Sequence, residues 1–148
     1  MEEVDLCVRL TRAGYRVLVN PQACLVHYEN GTPMDPLRRS FLFNRGRLLF
    51  LIKTRPLATL LSVLASAEHA YLNKHRGLND LRALSMAYLQ AILSLPDWCR
   101  ARSEFLGRPV PQGEYRQLLG MLLALRDHAA RAGPLSLLRE PAQRVPSS

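Results

Sequence analysis

Glu2, Glu3 and Asp5 put three carboxylates into one helical turn, with Glu2 and Asp5 three residues apart and Glu3 beside them. Like charges held that close raise one another's proton affinity, which is how a site obtains a general base able to take a proton from a hydroxyl. The same acids also suit the positive end of a helix dipole for purely electrostatic reasons. Arg9 stands four residues after Asp5, a spacing that pairs opposite charges along a helix face. Arg38 and Arg45 are two helical turns apart on one face. They could meet a diphosphate or a lipid phosphate, or form a solvated basic surface. His69, His75 and His128 have no ligand-like spacing.

These residues need elements to hold them. The first helix is expected over residues 2–13 and stops at Ala13-Gly14, where Gly14 fits a left-handed residue past a helix end. Tyr15–Val19 is rich in β-branched and aromatic residues, Cys24–Tyr28 is apolar again, and Asn20-Pro21-Gln22 lies between them, so two short strands around a tight turn are expected. Glu29–Pro33 reads as a loop. The rest reads as helix. Asp35 caps a helix that starts at Pro36 and ends before Pro56, with Leu37, Phe41, Leu48 and Ile52 on one face. A second helix covers Leu57–Lys74, using Leu57, Leu60, Leu64, Ala67 and Tyr71, and His75-Arg76-Gly77 breaks it. A third covers Asn79–Leu95 through Leu81, Leu84, Tyr88 and Ile92. A short helix follows from Pro96 to Phe105. The last spans Glu114–Arg131 through Tyr115, Leu118, Leu122 and Leu125, and a loose tail follows. Trp98 reads as core.

The fold class expected is therefore mainly α with a small two-stranded β element. Residues 1–34 form one unit, 35–132 a helical unit and 133–148 a tail. A two-stranded unit is marginal by itself, so other strands or covering helices are needed.

Composition narrows the function classes. The chain has 148 residues, 48% hydrophobic and 22% charged, with a formal charge of +8. That supports a packed core and favours anionic partners. Residues 1–30 hold Arg9, Arg12 and Arg16 against Glu2, Glu3, Asp5 and Glu29, a net −1, so the basic excess lies beyond them. Cys7, Cys24 and Cys99 are odd in number and widely spaced, which suggests reduced thiols and a cytoplasmic setting rather than a disulfide framework or zinc ribbon. The start Met1-Glu-Glu-Val-Asp has no signal-peptide pattern. Leu57–Ala67 is too short to span a bilayer.

One ordered set of motifs goes further. Glu2-Glu3-Val4-Asp5-Leu6-Cys7-Val8-Arg9 is followed by Arg12-Ala13-Gly14-Tyr15-Arg16, then Asn20-Pro21-Gln22-Ala23, then Val26-His27. Arg45-Gly46-Arg47-Leu48 and Lys53-x-x-Pro56 come later. In this order the segment resembles the C-terminal part of the catalytic domain of family 2 glycosyltransferases of the GT-A fold, especially the rhamnosyltransferase-like branch. The likeness covers residues 2–56, and the later helices match only loosely.

The resemblance implies the C-terminal fragment of an α/β GT-A enzyme plus a helical extension. It implies inverting transfer of a sugar from a nucleotide-sugar donor to a glycan or lipid-linked acceptor. One carboxylate of the acidic pair would take the acceptor's proton. Glu3 is the first choice for this base and Glu2 the second; the family usually has Asp where Glu3 stands, and the extra methylene changes the reach. His27 becomes a candidate ligand for a divalent cation, magnesium or manganese, on the diphosphate. Asp5, Arg9 and Arg45 become candidate substrate-binding residues, and Tyr28, Glu29 and Thr32 lie where this fold closes over substrate. No Asp-x-Asp triplet or strand–helix alternation precedes Glu2, so this polypeptide is expected to be inactive alone. A place on the inner face of the cell membrane fits a lipid-linked acceptor. The competing reading is a basic helical module on an anionic membrane surface or on nucleic acid. Nucleic acid is the weaker partner, because aromatic residues are only 7% and no stacking platform is evident.

Overall fold

A computed structural model describes residues 2–24, 26, 33–74 and 78–136. The elements are α1 (Glu2–Arg12), α2 (Pro36–Thr54), α3 (Leu57–Thr59), a π-helical stretch at Leu60–Leu64, α4 (Ala65–Lys74), α5 (Leu78–Leu93), α6 (Leu95–Leu106) and α7 (Gln112–Ser136).

Helix ends follow local chemistry. Asp35 Oδ2 accepts the Arg38 amide at 2.8 Å, and Pro36 fills the first turn, where its missing N–H costs nothing. Gly14, with φ of 86°, turns the chain away after α1, and Gly107, with φ of 67°, ends α6. The helix expected over Leu57–Lys74 is interrupted by the π-helical stretch. Its i→i+5 bonding lets residues spaced by four stay on one face, and Leu60, Leu64 and Glu68 are all buried. The final helix runs past its expected end to Ser136, so residues 133–136 are helical rather than loose.

The core is built on α5, which packs between α2 and α7. Leu48 and Ile52 from α2, Leu84, Ala87, Tyr88 and Ala91 from α5, and Leu118 and Leu122 from α7 meet there with Leu95 and Trp98 of α6. Area removed from water on this scale, at about 25 cal/mol per Å2 of apolar surface, is what offsets the entropy of ordering the helices.

The expected two-stranded element is not found among the described residues. Tyr15–Val19 and the described residues from Cys24 to Val26 carry no strand, and no strand occurs among the described residues. The described chain is all helical, so an α/β GT-A portion in residues 1–34 is overturned as well. The reason is a missing partner. Val17, Leu18 and Val19 are 46%, 76% and 89% exposed, so the segment gains nothing by pairing with a second equally uncovered one. Part of the second expected strand, including His27 and Tyr28, lies outside the described residues.

Two charged clusters sit inside this bundle. Glu68 of α4 is fully buried; its Oε1 accepts from Arg47 of α2 and its Oε2 from the Tyr88 hydroxyl of α5. Arg47 also reaches Asn44 Oδ1 at 3.3 Å and lies 5.0 Å from the Tyr71 ring centroid. Burial penalises the Arg47 charge, but the Glu68 hydrogen bond and charge outweigh it, so the guanidinium is held above its ordinary value. Arg102 of α6 is also fully buried. Its Nε donates to Glu114 Oε1 at 2.6 Å, and its Nη1 donates to the carbonyls of Ile52 and Arg55 at 2.6 and 2.7 Å.

Candidate functional site

Charge rather than apolar packing fastens α1 to the bundle. Asp5 Oδ2 accepts from Arg9 Nε at 3.0 Å, and Asp5 Oδ1 meets the Lys53 ammonium from the end of α2. Arg12 lies over the Phe105 ring of α6 at 4.2 Å, and Lys53 Nζ stands 5.9 Å from the same ring. The ring faces attract both cations. Between α1, α2 and α6 this leaves a cleft of about 580 Å3 lined by Asp5, Arg9, Arg12, Lys53, Glu104 and Phe105.

Three cations face two carboxylates in the cleft, so an anionic ligand is the kind it can hold. The Asp5 carboxylate is occupied by Arg9 and Lys53 rather than open to an acceptor hydroxyl. It acts instead as the post that holds Arg9 and Lys53 at the cleft wall. Arg9 remains 59% exposed, within reach of solvent and ligand.

The expected site residues divide. Asp5 and Arg9 come together with Lys53. Glu2 is the first residue of α1. Glu3 is exposed and does not line the cleft. Its carboxyl lies below the usual range, chiefly through the hydrogen bond from its own backbone N–H. The expectation that crowded carboxylates would raise it therefore fails. At an exposed helix start, backbone donors and water favour the charge and mute repulsion between neighbours. Arg45 is half-buried on α2 and is not part of the cleft lining.

His27, together with Tyr28, Glu29 and Thr32, lies outside the described residues. Among the described residues no three His, Cys, Asp or Glu side chains converge on a point that could hold a metal ion. Asp5, taken by Arg9 and Lys53, is not placed to hold a divalent cation.

Comparison of the chain with protein-family models, with curated proteins and with solved structures yields no match. Among the described residues no helix is long and apolar enough to cross a membrane.

Sequence reasoning missed Arg12, Glu104 and Phe105 as cleft residues. Nothing in their local spacing marks them, because they meet only when α6 folds beside α1. It had Arg12 and Lys53 as parts of motifs but gave them no role.

Proposed function

We propose that this chain is the C-terminal part of an inverting glycosyltransferase, which moves a sugar from a nucleotide-sugar to a hydroxyl of a glycan or lipid-linked acceptor and which needs further polypeptide to act. The observation that carries the reading is the pairing of Asp5 with Lys53. Asp5 and Arg9 belong to the first stretch of the family resemblance and Lys53 to the last. Their meeting at one cleft is what a single functional unit would require.

In this proposal Glu3 takes the acceptor's proton on its carboxylate. The freed oxygen forms the bond to the anomeric carbon from the face opposite the leaving group, and the bond to the nucleoside diphosphate breaks. Glu3 is already deprotonated, as a base must be. Its proton affinity would rise when substrate and the rest of the enzyme cover it and strip its water. Glu2 is the second choice. Arg9 and Arg45 serve the anionic donor or the acceptor, and His27 stays the candidate ligand for a magnesium or manganese ion.

A second reading has its own observation. Residues 36–67 contain Arg38, Arg39, Arg45, Arg47, Lys53 and Arg55 and no Asp or Glu. A basic helical module on an anionic surface would look like that.

The test has two arms. Calorimetric titration of this polypeptide with uridine-, thymidine- and guanosine-diphosphate sugars should show no saturable binding; micromolar binding would contradict its dependence on further chain. The polypeptide expressed with any coding sequence found in frame ahead of Met1 should transfer sugar. Glu3→Gln should then lower kcat by about 100-fold or more. If both Glu3→Gln and Glu2→Gln transfer at the parent rate, the reading fails.

A further inference from the structure

On the N-terminal half of α2, Phe41 packs against the core while Arg38, Arg39, Leu42 and Phe43 stay on the outside. At 3.6 residues per turn, Arg38, Leu42 and Arg45 share one stripe, and Arg39 and Phe43 lie on the next. Arg38 and Arg39 are exposed, Leu42 is 40% exposed and Phe43 52%. Met34, just ahead of the helix, is 38% exposed. The opposite face holds Asn44, Leu48 and Ile52, all buried. The helix therefore presents a second, outward apolar strip that the bundle leaves uncovered, edged by arginines.

We propose that this face of α2 docks on an anionic lipid bilayer, with Phe43, Leu42 and Met34 entering the interface and Arg38, Arg39 and Arg45 meeting lipid phosphates. Charge complementarity selects the occupant. The acidic residue within the patch is Asp35, whose carboxylate is turned onto the Arg38 amide as the helix cap, and none follows from Pro36 to Ala67, so the arginines dominate the charge of this face. Arg38, Arg39 and Arg45 form no ion pair among the described residues, unlike Arg47 and Lys53, which are spent on Glu68 and Asp5. Exposed apolar groups between arginines are what an interfacial helix needs, because the apolar groups leave water while the guanidinium groups stay at headgroup level. Nucleic acid would satisfy the arginines but would leave Leu42 and Met34 in water. The docking rests on the anionic-surface reading and not on sugar transfer: Arg45 is shared with the transfer proposal, but Arg38, Arg39, Leu42 and Phe43 are not, and docking can be measured without substrate.

The experiment is co-sedimentation of the full chain with vesicles of phosphatidylcholine alone or of phosphatidylcholine with phosphatidylglycerol. Binding should need the anionic lipid and should weaken as salt rises. Arg38→Gln with Arg39→Gln should lower the partition coefficient about 30-fold, at about fivefold for each arginine near such a surface. Phe43→Ser should lower it several-fold. The matched control Arg116→Gln with Arg131→Gln removes equal charge from exposed positions of α7 and should change it little. The sole native tryptophan, Trp98, is buried. Phe43→Trp should therefore add an exposed emission that shifts to the blue only with anionic vesicles. Circular dichroism confirms that each variant is folded. Three results would overturn the proposal: equal losses in patch and control variants, no shift from Phe43→Trp, or release of the protein from vesicles into a complex with competing transfer RNA.

Discussion

The hydroxyl of Tyr88 donates to Oε2 of Glu68 wholly inside the helical bundle, joining α5 to α4 through a carboxylate that is also paired with Arg47 of α2. Burial first, and then the Glu68 charge, push the Tyr88 phenol far above its ordinary value of 10.0. The folded protein keeps this phenol neutral in alkali, whereas the unfolded chain ionises it. Its stabilising contribution is thus complete below about pH 10 and is lost as pH rises further. Urea unfolding of the parent and of Tyr88→Phe should show their stability difference falling by about 1.4 kcal/mol per pH unit above about pH 10. At neutral pH Tyr88→Phe should itself cost about 1–3 kcal/mol, because Glu68 loses a donor where water does not reach.

Removing one partner of the Arg102–Glu114 pair should be more damaging than removing both. Arg102→Met leaves a buried carboxylate short of its strongest donor and two carbonyls without theirs, and it should cost about 3–5 kcal/mol. Arg102→Met with Glu114→Gln should recover part of that loss. Guanidinium unfolding midpoints of the two singles and the double variant give the coupling directly.

The three thiols should separate by reactivity. Burial pushes the Cys99 thiol up, while Cys24 is exposed and Cys7 intermediate. With a disulfide reagent at neutral pH, Cys24 should react first. Cys99 should react at least about 100-fold more slowly, and only through opening of the bundle. Mass spectrometry of timed samples reads the order.

Asp5→Asn should loosen α1 without unfolding the rest. The variant weakens both the Arg9 and Lys53 contacts, worth about 1 kcal/mol at a partly exposed site. Amide exchange in α1 should speed by roughly five- to tenfold, and the urea midpoint for the α2–α5–α7 core should hardly move. In the proposed enzyme the same change should raise KM for the anionic donor, as Arg9 and Lys53 lose their post.

Features written in neighbouring residues were legible in the sequence. The Asp35 cap, the Asp5–Arg9 pair, the left-handed Gly14 and the core positions Leu48, Ile52, Leu84, Leu118 and Leu122 each follow from spacings of a few residues. The strand expectation for Tyr15–Val19 used equally local information and failed, because strand formation needs a partner as well as propensity. Glu68 and Arg102 were opaque for the complementary reason. A charged residue in a helical stretch looks solvated until the distant groups that satisfy it are known. The cleft is a mixed case: Asp5 and Arg9 could be singled out, while Arg12 and Phe105 join them only through the placement of α6.

The contacts of Arg102 with the carbonyls of Ile52 and Arg55 bear on how the chain matures during synthesis. Those groups precede Arg102 by 50 and 47 residues, so the final turn of α2 leaves the ribosome without its cap. Until α6 follows, that turn can only borrow hydrogen bonds from water. A ribosome stalled between Pro56 and Arg102 would hold a nascent α2 frayed at Lys53, the residue that later receives Asp5. The anchorage of α1 therefore waits on a helix that emerges only after α5.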